Sequence, residues 1–252
     1  MKAAQINKYG GIEVVEINSN AQRPATAKGK ILVEVRAAGV NPVDWKIREG
    51  YFQQMVPLQF PAILGGDFSG VVLEVGEGVS CFNGGNEVYG SAIILGGGSG
   101  SFAEFALANV KAVANKPKKV SHVEAAALPL AGVSALQALL DHMGLKKGQK
   151  ILIHGGAGGI GTFAIQIARH IGAYTATTVS KNDIQHAKDL GADEVIDYKN
   201  QAFEETLRDF DAVFDTVGGQ TYERSFKVLK KGGIVVSMLE QPNKGLMDLH
   251  GV

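Results

Sequence analysis

The residues whose types and spacing can do chemistry are concentrated between Lys150 and Lys181. The segment KILIHGGAGGIGTFAIQIAR sets Gly156, Gly158 and Gly161 in a GxGxxG pattern directly after an apolar run and at the opening of an apolar-periodic stretch. In such a strand–turn–helix context the glycines allow a tight bend, a close backbone approach to a pyrophosphate, and packing of the helix on the strand. The helix N-terminal amides then face the anion. The turn Gly156, Ala157, Gly158, Gly159, Ile160 and Gly161 is therefore read as a dinucleotide cradle. An NAD site carries an acid about 20 residues further on, at the end of the second strand, to bind the ribose 2′-hydroxyl. Here Ser180 stands nineteen residues after Gly161 and Lys181 follows it. A hydroxyl and a cation accept a 2′-phosphate, and a missing carboxylate would not repel one, so NADP(H) is favoured over NAD. The alternative is that Ser180 caps the next helix, with Asp183 three residues on as its capping-box partner and Lys181 a solvated charge.

His154 directly precedes the glycine turn and invites a general-acid role, but its place at the end of a buried strand favours a hydrogen-bonded structural histidine. Asn41-Pro42 reads as a helix N-cap with proline at the first helical position, and Asp44 suits the first turn through the helix dipole. Cys81 is the only cysteine, which excludes an internal disulfide and a thiolate zinc site and favours a reducing compartment, the cytoplasm by default.

These residues need a scaffold of two kinds. Up to about residue 121 the chain consists of short β-rich runs broken by Gly, Pro and Asn: residues 30–35, 68–75, 87–89, 101–107 and 110–114. From 122 onward the pattern changes to a helix over 122–141, then strands at 151–153, 174–179, 194–196, 212–214 and 234–238 alternating with helices. That alternation predicts an α/β chain whose second half is a parallel, doubly wound sheet. The domains are read as 1–121 and 122–252. Lys+Arg 25 and Asp+Glu 25 leave no net charge, and no basic and aromatic residues interleave, so neither nucleic acid nor an anionic membrane is indicated as a partner. The apolar stretch 123–140 is interrupted by Glu124, Pro129 and Gln137, and the N-terminus has no continuous apolar run, so neither a membrane span nor a signal peptide is expected.

With the fingerprint stand AAGVNPVDWKIREG (37–50), PAILGGDFSGVVLEVG (61–76), AAALPLAGVSALQAL (125–139), LGADEVIDY (190–198) and FDTVGG (214–219). Together, and in this order, they resemble the medium-chain dehydrogenase/reductase superfamily, in particular its zinc-independent, zeta-crystallin-like quinone oxidoreductase branch, which also holds the plant alkenal/enone reductases. The resemblance implies a GroES-like β-barrel on the substrate side, a Rossmann domain, and NADPH between them. It implies that Asn41 lies near the nicotinamide and substrate, that Asp44 supports that loop, and that Tyr51 lines the cleft. It also implies that Ser134, Tyr198, Val217 and Gly218 meet the cofactor, with Asp215 structural. Lys46 stands where quinone reductases commonly carry tyrosine. Zinc-dependent relatives place a cysteine after Gly-Val and Gly-His-Glu after the proline, whereas this chain has Asn41 and Gly65-Gly66-Asp67, so no metal is expected.

The implied activity is hydride delivery from NADPH to a quinone or an α,β-unsaturated carbonyl, the electron acceptor being a small molecule. An alkenal double-bond reductase and a non-catalytic NADPH-binding protein remain as alternatives. Relatives continue past the fifth Rossmann strand into a sixth that commonly builds a homodimer. The expectation is thus a C-terminally shortened Rossmann domain, with residues 234–238 as an uncovered edge and dimerisation compromised.

Overall fold

A computed structural model describes residues 1–252, which form two compact units, Met1–Leu130 and Ala131–Val252.

In the first unit the strands are β1 (Ala3–Ile6), β2 (Val15–Asn18), β3 (Lys30–Ala38), β4 (Ala62–Ile63), β5 (Asp67–Val75), β6 (Glu87–Ser91), β7 (Phe105–Asn109) and β8 (Val113–Asn115). They make an antiparallel five-stranded sheet of order β7-β3-β5-β6-β8 and a three-stranded sheet of order β2-β1-β4. Alternation along β3 sends Ile31 and Val33 inward against Phe68, Val72, Val88 and Ala106, the main apolar core of this unit. A smaller cluster of Ile6, Ile47, Ala62 and Leu64 seats helix α1 (Pro42–Arg48). Helix α2 (His122–Ala126) opens with a capping box between Ser121 and Glu124. It packs on β5 and β3, so the first unit runs past the Ser121 boundary read from the sequence.

The single helix expected over 122–141 is broken. Helix α3 starts afresh at Pro129 (Pro129–Leu136) and passes into a π-helical turn at Gln137–His142. Proline has no N–H to continue α2 and disfavours helical geometry at the residue before it.

The second unit is a parallel sheet of order β11-β10-β9-β12-β13, built from β9 (Lys150–His154), β10 (Tyr174–Val179), β11 (Glu194–Asp197), β12 (Phe210–Asp215) and β13 (Leu229–Ser237). Its helices are α4 (Gly159–Ile171), α5 (Ile184–Leu190), α6 (Phe203–Thr206), α7 (Gln220–Ser225) and α8 (Lys244–His250). Ile151 and Ile153 of β9 join one core with Leu139, Ala164, Ile165 and Phe214. Leu152, between them, joins another with Ala176, Phe203, Phe210 and Val228. Both faces are thus covered, as a parallel sheet requires. The strand order reverses between β9 and β12, and in open α/β sheets ligands bind beyond the carboxyl ends of the strands at such a switch point. Strand β13 pairs only with β12 and forms the sheet edge. No helix is long and apolar enough to cross a membrane.

Candidate functional site

At the carboxyl end of β9 the chain turns through Gly155–Gly158 into α4. A Cβ on Gly156 would lie 2.0 Å from Thr177 Oγ1, and one on Gly161 would lie 2.2 Å from the Gly155 carbonyl oxygen and 2.7 Å from Gly156 Cα. Gly156 is therefore required by the approach of the turn to β10, and Gly161 by the approach of α4 to the turn. Gly158 caps α4 with no side-chain hydrogen bond to its first turn, which leaves the opening amides for an external acceptor.

Beside this turn lies a cavity of about 520 Å³, lined on its walls by Gly155, Ala157, Gly158, Ser180, Tyr198 and Val217 among others. That volume suits a nucleotide-sized ligand. Of the expected cofactor residues, Ala157, Gly158, Ser180, Tyr198 and Val217 line the cavity. Gly156 and Gly161 lie beneath it as packing residues, and Gly159, Ile160, Lys181, Ser134 and Gly218 are outside its lining. Ser134 sits on α3, the helix that brings Ala131 to the turn, where Ala131 Cβ would be 3.8 Å from a Cβ on Gly159.

The capping reading of Ser180 fails in detail. Ser180 does sit at the N-cap of a 3-10 turn, Lys181–Asp183, but its side chain makes no cap hydrogen bond; Oγ donates to Asp183 Oδ2 at 2.5 Å. The carboxylate lines the cavity wall, while Lys181 is exposed and outside the lining. The expectation that no acid stands near the end of β10 is thereby corrected. Sequence reasoning also missed Lys199, Thr178, Thr221 and Arg224, all cavity-lining. Lys199 follows Tyr198 and was visible as the next residue, whereas Arg224 arrives only through the fold.

His154 is completely buried and joins three elements. Its Nδ1 lies 3.0 Å from Thr178 Oγ1 and its Nε2 lies 3.0 Å from Ser225 Oγ, which donates to the Thr221 carbonyl at 2.6 Å. Since Ser225 has given its only hydrogen away, Nε2–H must donate to it, and Nδ1 accepts from Thr178. Burial pulls the imidazole pKa down to about 4, with Asp215 opposing and Arg224 reinforcing the shift. His154 is a neutral tie in the cavity lining rather than an acid. Asp215 is equally buried and accepts from Val217 N–H, Gly218 N–H and Ser237 Oγ at 2.7–3.2 Å, shaping the loop after β12.

In the first unit, Asn41 is held between two buried carboxylates. Its backbone N–H donates to Asp44 Oδ2 at 2.7 Å, and its Nδ2 donates to Asp67 Oδ2 at 2.9 Å, which also accepts from Leu130 N–H at 2.9 Å. Asp44 Oδ1 is buried without a partner. Burial pushes the Asp44 carboxyl up to about 6; the Asn41 N–H opposes this and the charge of Asp67 adds to it. Asp67 is also raised by burial, against the pull of its two hydrogen bonds. Asp67 as the fixing partner of Asn41 is a feature that residue spacing gave no sign of. Tyr51 is 65% exposed and meets Trp45 edge-on at 5.4 Å. No three His, Cys, Asp or Glu side chains come together as a metal-binding group.

Residues 27–118 match the family described as alcohol dehydrogenase GroES-like domain, and residues 159–244 the family described as zinc-binding dehydrogenase. The chloroplast envelope quinone oxidoreductase homolog of Arabidopsis thaliana is 36% identical over 252 residues, covering 96% of this chain and 76% of the relative. The chain belongs to the medium-chain dehydrogenase/reductase superfamily. Its first unit is the GroES-like domain of that superfamily and its second the Rossmann-type domain. A second member, the 2-methylene-furan-3-one reductase of Solanum lycopersicum, is 40% identical over 242 residues, covering 94% of this chain and 61% of the relative. Among solved members, the quinone oxidoreductase of Escherichia coli complexed with NADPH shares 30% identity with a TM-score of 0.87, covering all of this chain and 78% of the other. The chain spans roughly two thirds of the length of its curated relatives, 61% and 76% for the two named.

Proposed function

We propose that this medium-chain dehydrogenase/reductase is an NADPH-dependent, zinc-independent oxidoreductase that transfers hydride to a quinone or an α,β-unsaturated carbonyl. The observation that carries the reading is the cavity beside the glycine turn, where uncapped α4 amides meet the carboxyl ends of β9 to β12. The residues fit a dinucleotide, because Gly161 lets α4 close on the turn after β9 and Gly156 lets the turn lie against β10, which together set the α4 amides at the cavity wall. The bound nicotinamide supplies the hydride. Gly158, Ser180, Tyr198 and Val217 would hold the cofactor, and Ser134 would stand at its nicotinamide end as the resemblance implies.

Asn41, clamped by Asp44 and Asp67, is the residue assigned to the acceptor, and its fixed orientation makes positioning the main source of rate. Neither Asn41 nor Gly66 offers a thiolate or imidazole, so the donor set supports chemistry without zinc. Tyr51 and Trp45 give an aromatic surface suited to a planar acceptor. Water or a hydroxyl supplies the proton to the reduced acceptor. The lone Cys81 supports a reducing compartment such as the cytoplasm.

The test is NADPH oxidation followed by absorbance with a benzoquinone and with an enone, with and without a chelator. Turnover with at least one acceptor, unaffected by the chelator, is the expected result. Asn41→Ala should lower kcat/KM by about 100-fold with NADPH affinity unchanged. NADPH binding without oxidation of either acceptor would overturn the catalytic assignment in favour of a binding protein.

A further inference from the structure

The charges around the end of β10 have no role in the glycine-turn argument. Ser180 has a single hydroxyl hydrogen, and it is given to Asp183 Oδ2. Toward a ligand that hydroxyl offers only lone pairs. Asp183 is held in place a second time, through its own N–H to the Ser180 carbonyl at 2.9 Å, so the carboxylate is folded back onto the strand end. It thus delivers an acid to the place where NAD sites carry one, from three residues further along the chain. The same cavity is lined by Lys199. Its ammonium lies 6.0 Å from the Tyr198 ring centroid, and it makes no salt bridge. The other cation of the lining, Arg224, brings Nε within 3.3 Å of Glu204 Oε1 and stacks over Phe203 at 4.9 Å. Lys181, the cation that the sequence pointed to, is not part of the wall.

A carboxylate with one oxygen, Oδ1, unpartnered and an ammonium without an ion pair therefore border the same cavity. A ribose 2′-hydroxyl can donate to a carboxylate, whereas a 2′-phosphate is repelled by it and drawn to an ammonium. A pocket built for NADPH alone would omit the acid, and one built for NADH alone would have no need of the lysine.

We propose that Asp183 and Lys199 form an opposed selectivity pair that lets this chain bind both NADH and NADPH, Asp183 favouring the free diol and Lys199 the 2′-phosphate, with Lys181 taking no part. This rests on the dinucleotide reading of the cavity and specifies how it chooses between the two nucleotides. The pair acts through charge at the cavity rim, so it is sensitive to ionic strength on the NADPH side.

The test is calorimetric titration of NADH and NADPH into the full chain and into Asp183→Asn, Lys199→Met and Lys181→Met, with thermal unfolding run on each. The parent should bind the two nucleotides with dissociation constants within about tenfold of each other. Asp183→Asn should move the ratio toward NADPH by about tenfold, and Lys199→Met toward NADH by a similar factor with a weaker salt dependence of NADPH binding. Lys181→Met should leave the ratio where it was. A parent that prefers NADPH by more than about 100-fold, or a ratio unmoved in both Asp183→Asn and Lys199→Met, overturns the pair while leaving the dinucleotide site standing. A shift in Lys181→Met equal to that expected of Lys199→Met also overturns it. Binding of neither nucleotide to the folded parent overturns the dinucleotide reading and the selectivity pair together.

Discussion

Gly161→Ala is expected to weaken NADPH binding by more than about 100-fold and to lower stability by about 2 kcal/mol. The added Cβ meets the Gly155 carbonyl oxygen at 2.2 Å and Gly156 Cα at 2.7 Å, both backbone atoms that no rotamer change can move. Relief requires α4 to back away from β9 or the turn to open. Either motion displaces the amides that make the anion site, and such sites tolerate about half an ångström before they fail. Gly159→Ala is the matched control. It is also helical and two residues away, but its Cβ meets nothing closer than Ala131 Cβ at 3.8 Å. It should leave the unfolding temperature unchanged or slightly raised, because alanine is the better helix former. Calorimetric titration and thermal unfolding of both variants decide the matter. A Gly161→Ala protein with parental NADPH affinity would remove the glycine turn from the site.

The glycine turn could be read from the sequence because strand, bend and helix follow one another within the segment from Lys150 to Ile171, and the contacts of Gly161 fall inside it; the contact of Gly156 with Thr177 on β10 does not and appears only in the fold. The five strands of the second unit were legible for the same reason, each an apolar run bounded by polar turns. Strands β1, β2 and β4 were not. They are two to four residues long, and β1 is defined by pairing Gln5 with both Glu16 and Ile63, a relation that no local pattern encodes. The broken helix after Ser121 shows a signal present but outweighed, since Pro129 stood in plain view within an alanine-rich run whose periodicity continued through it. The site residues divide the same way. Residue type singled out Asn41 and Ser180, but what their side chains touch depends on Asp67 and Asp183, and side-chain direction is settled only when the elements pack. Asp44 reads as a helix-dipole residue in sequence; only the fold reveals that it is buried with one oxygen unpartnered.

Burial of His154 and of Asp44 should give opposite pH dependences that nearly hide one another in the parent protein. His154 has its pKa depressed to about 4 by burial, against about 6.5 in an unfolded chain. Below pH 6.5 the unfolded chain takes up a proton that the folded chain refuses until about pH 4, so unfolding becomes easier across that window, by about 3 kcal/mol in all. Asp44 behaves in the other sense. Its folded pKa is raised to about 6 from 3.8, so between those values the folded chain binds the proton first and stability rises as pH falls. From about pH 6 down to 4 the two slopes oppose. His154→Gln should lose stability at pH 7.5, where a satisfied buried network is disturbed, by about 1–3 kcal/mol. Relative to the parent it should then recover steadily as the pH is lowered toward 4. Asp44→Asn keeps an acceptor for the Asn41 N–H but abolishes the titration, and its stability relative to the parent should fall over the same interval. Urea unfolding at pH 7.5, 5.5 and 4.5 measures both, and groups common to parent and variant cancel in the difference. A His154→Gln protein whose stability runs parallel to the parent would mean that the imidazole titrates in the folded chain as it does in the unfolded one, and the neutral tie between β9, β10 and α7 would have to be abandoned.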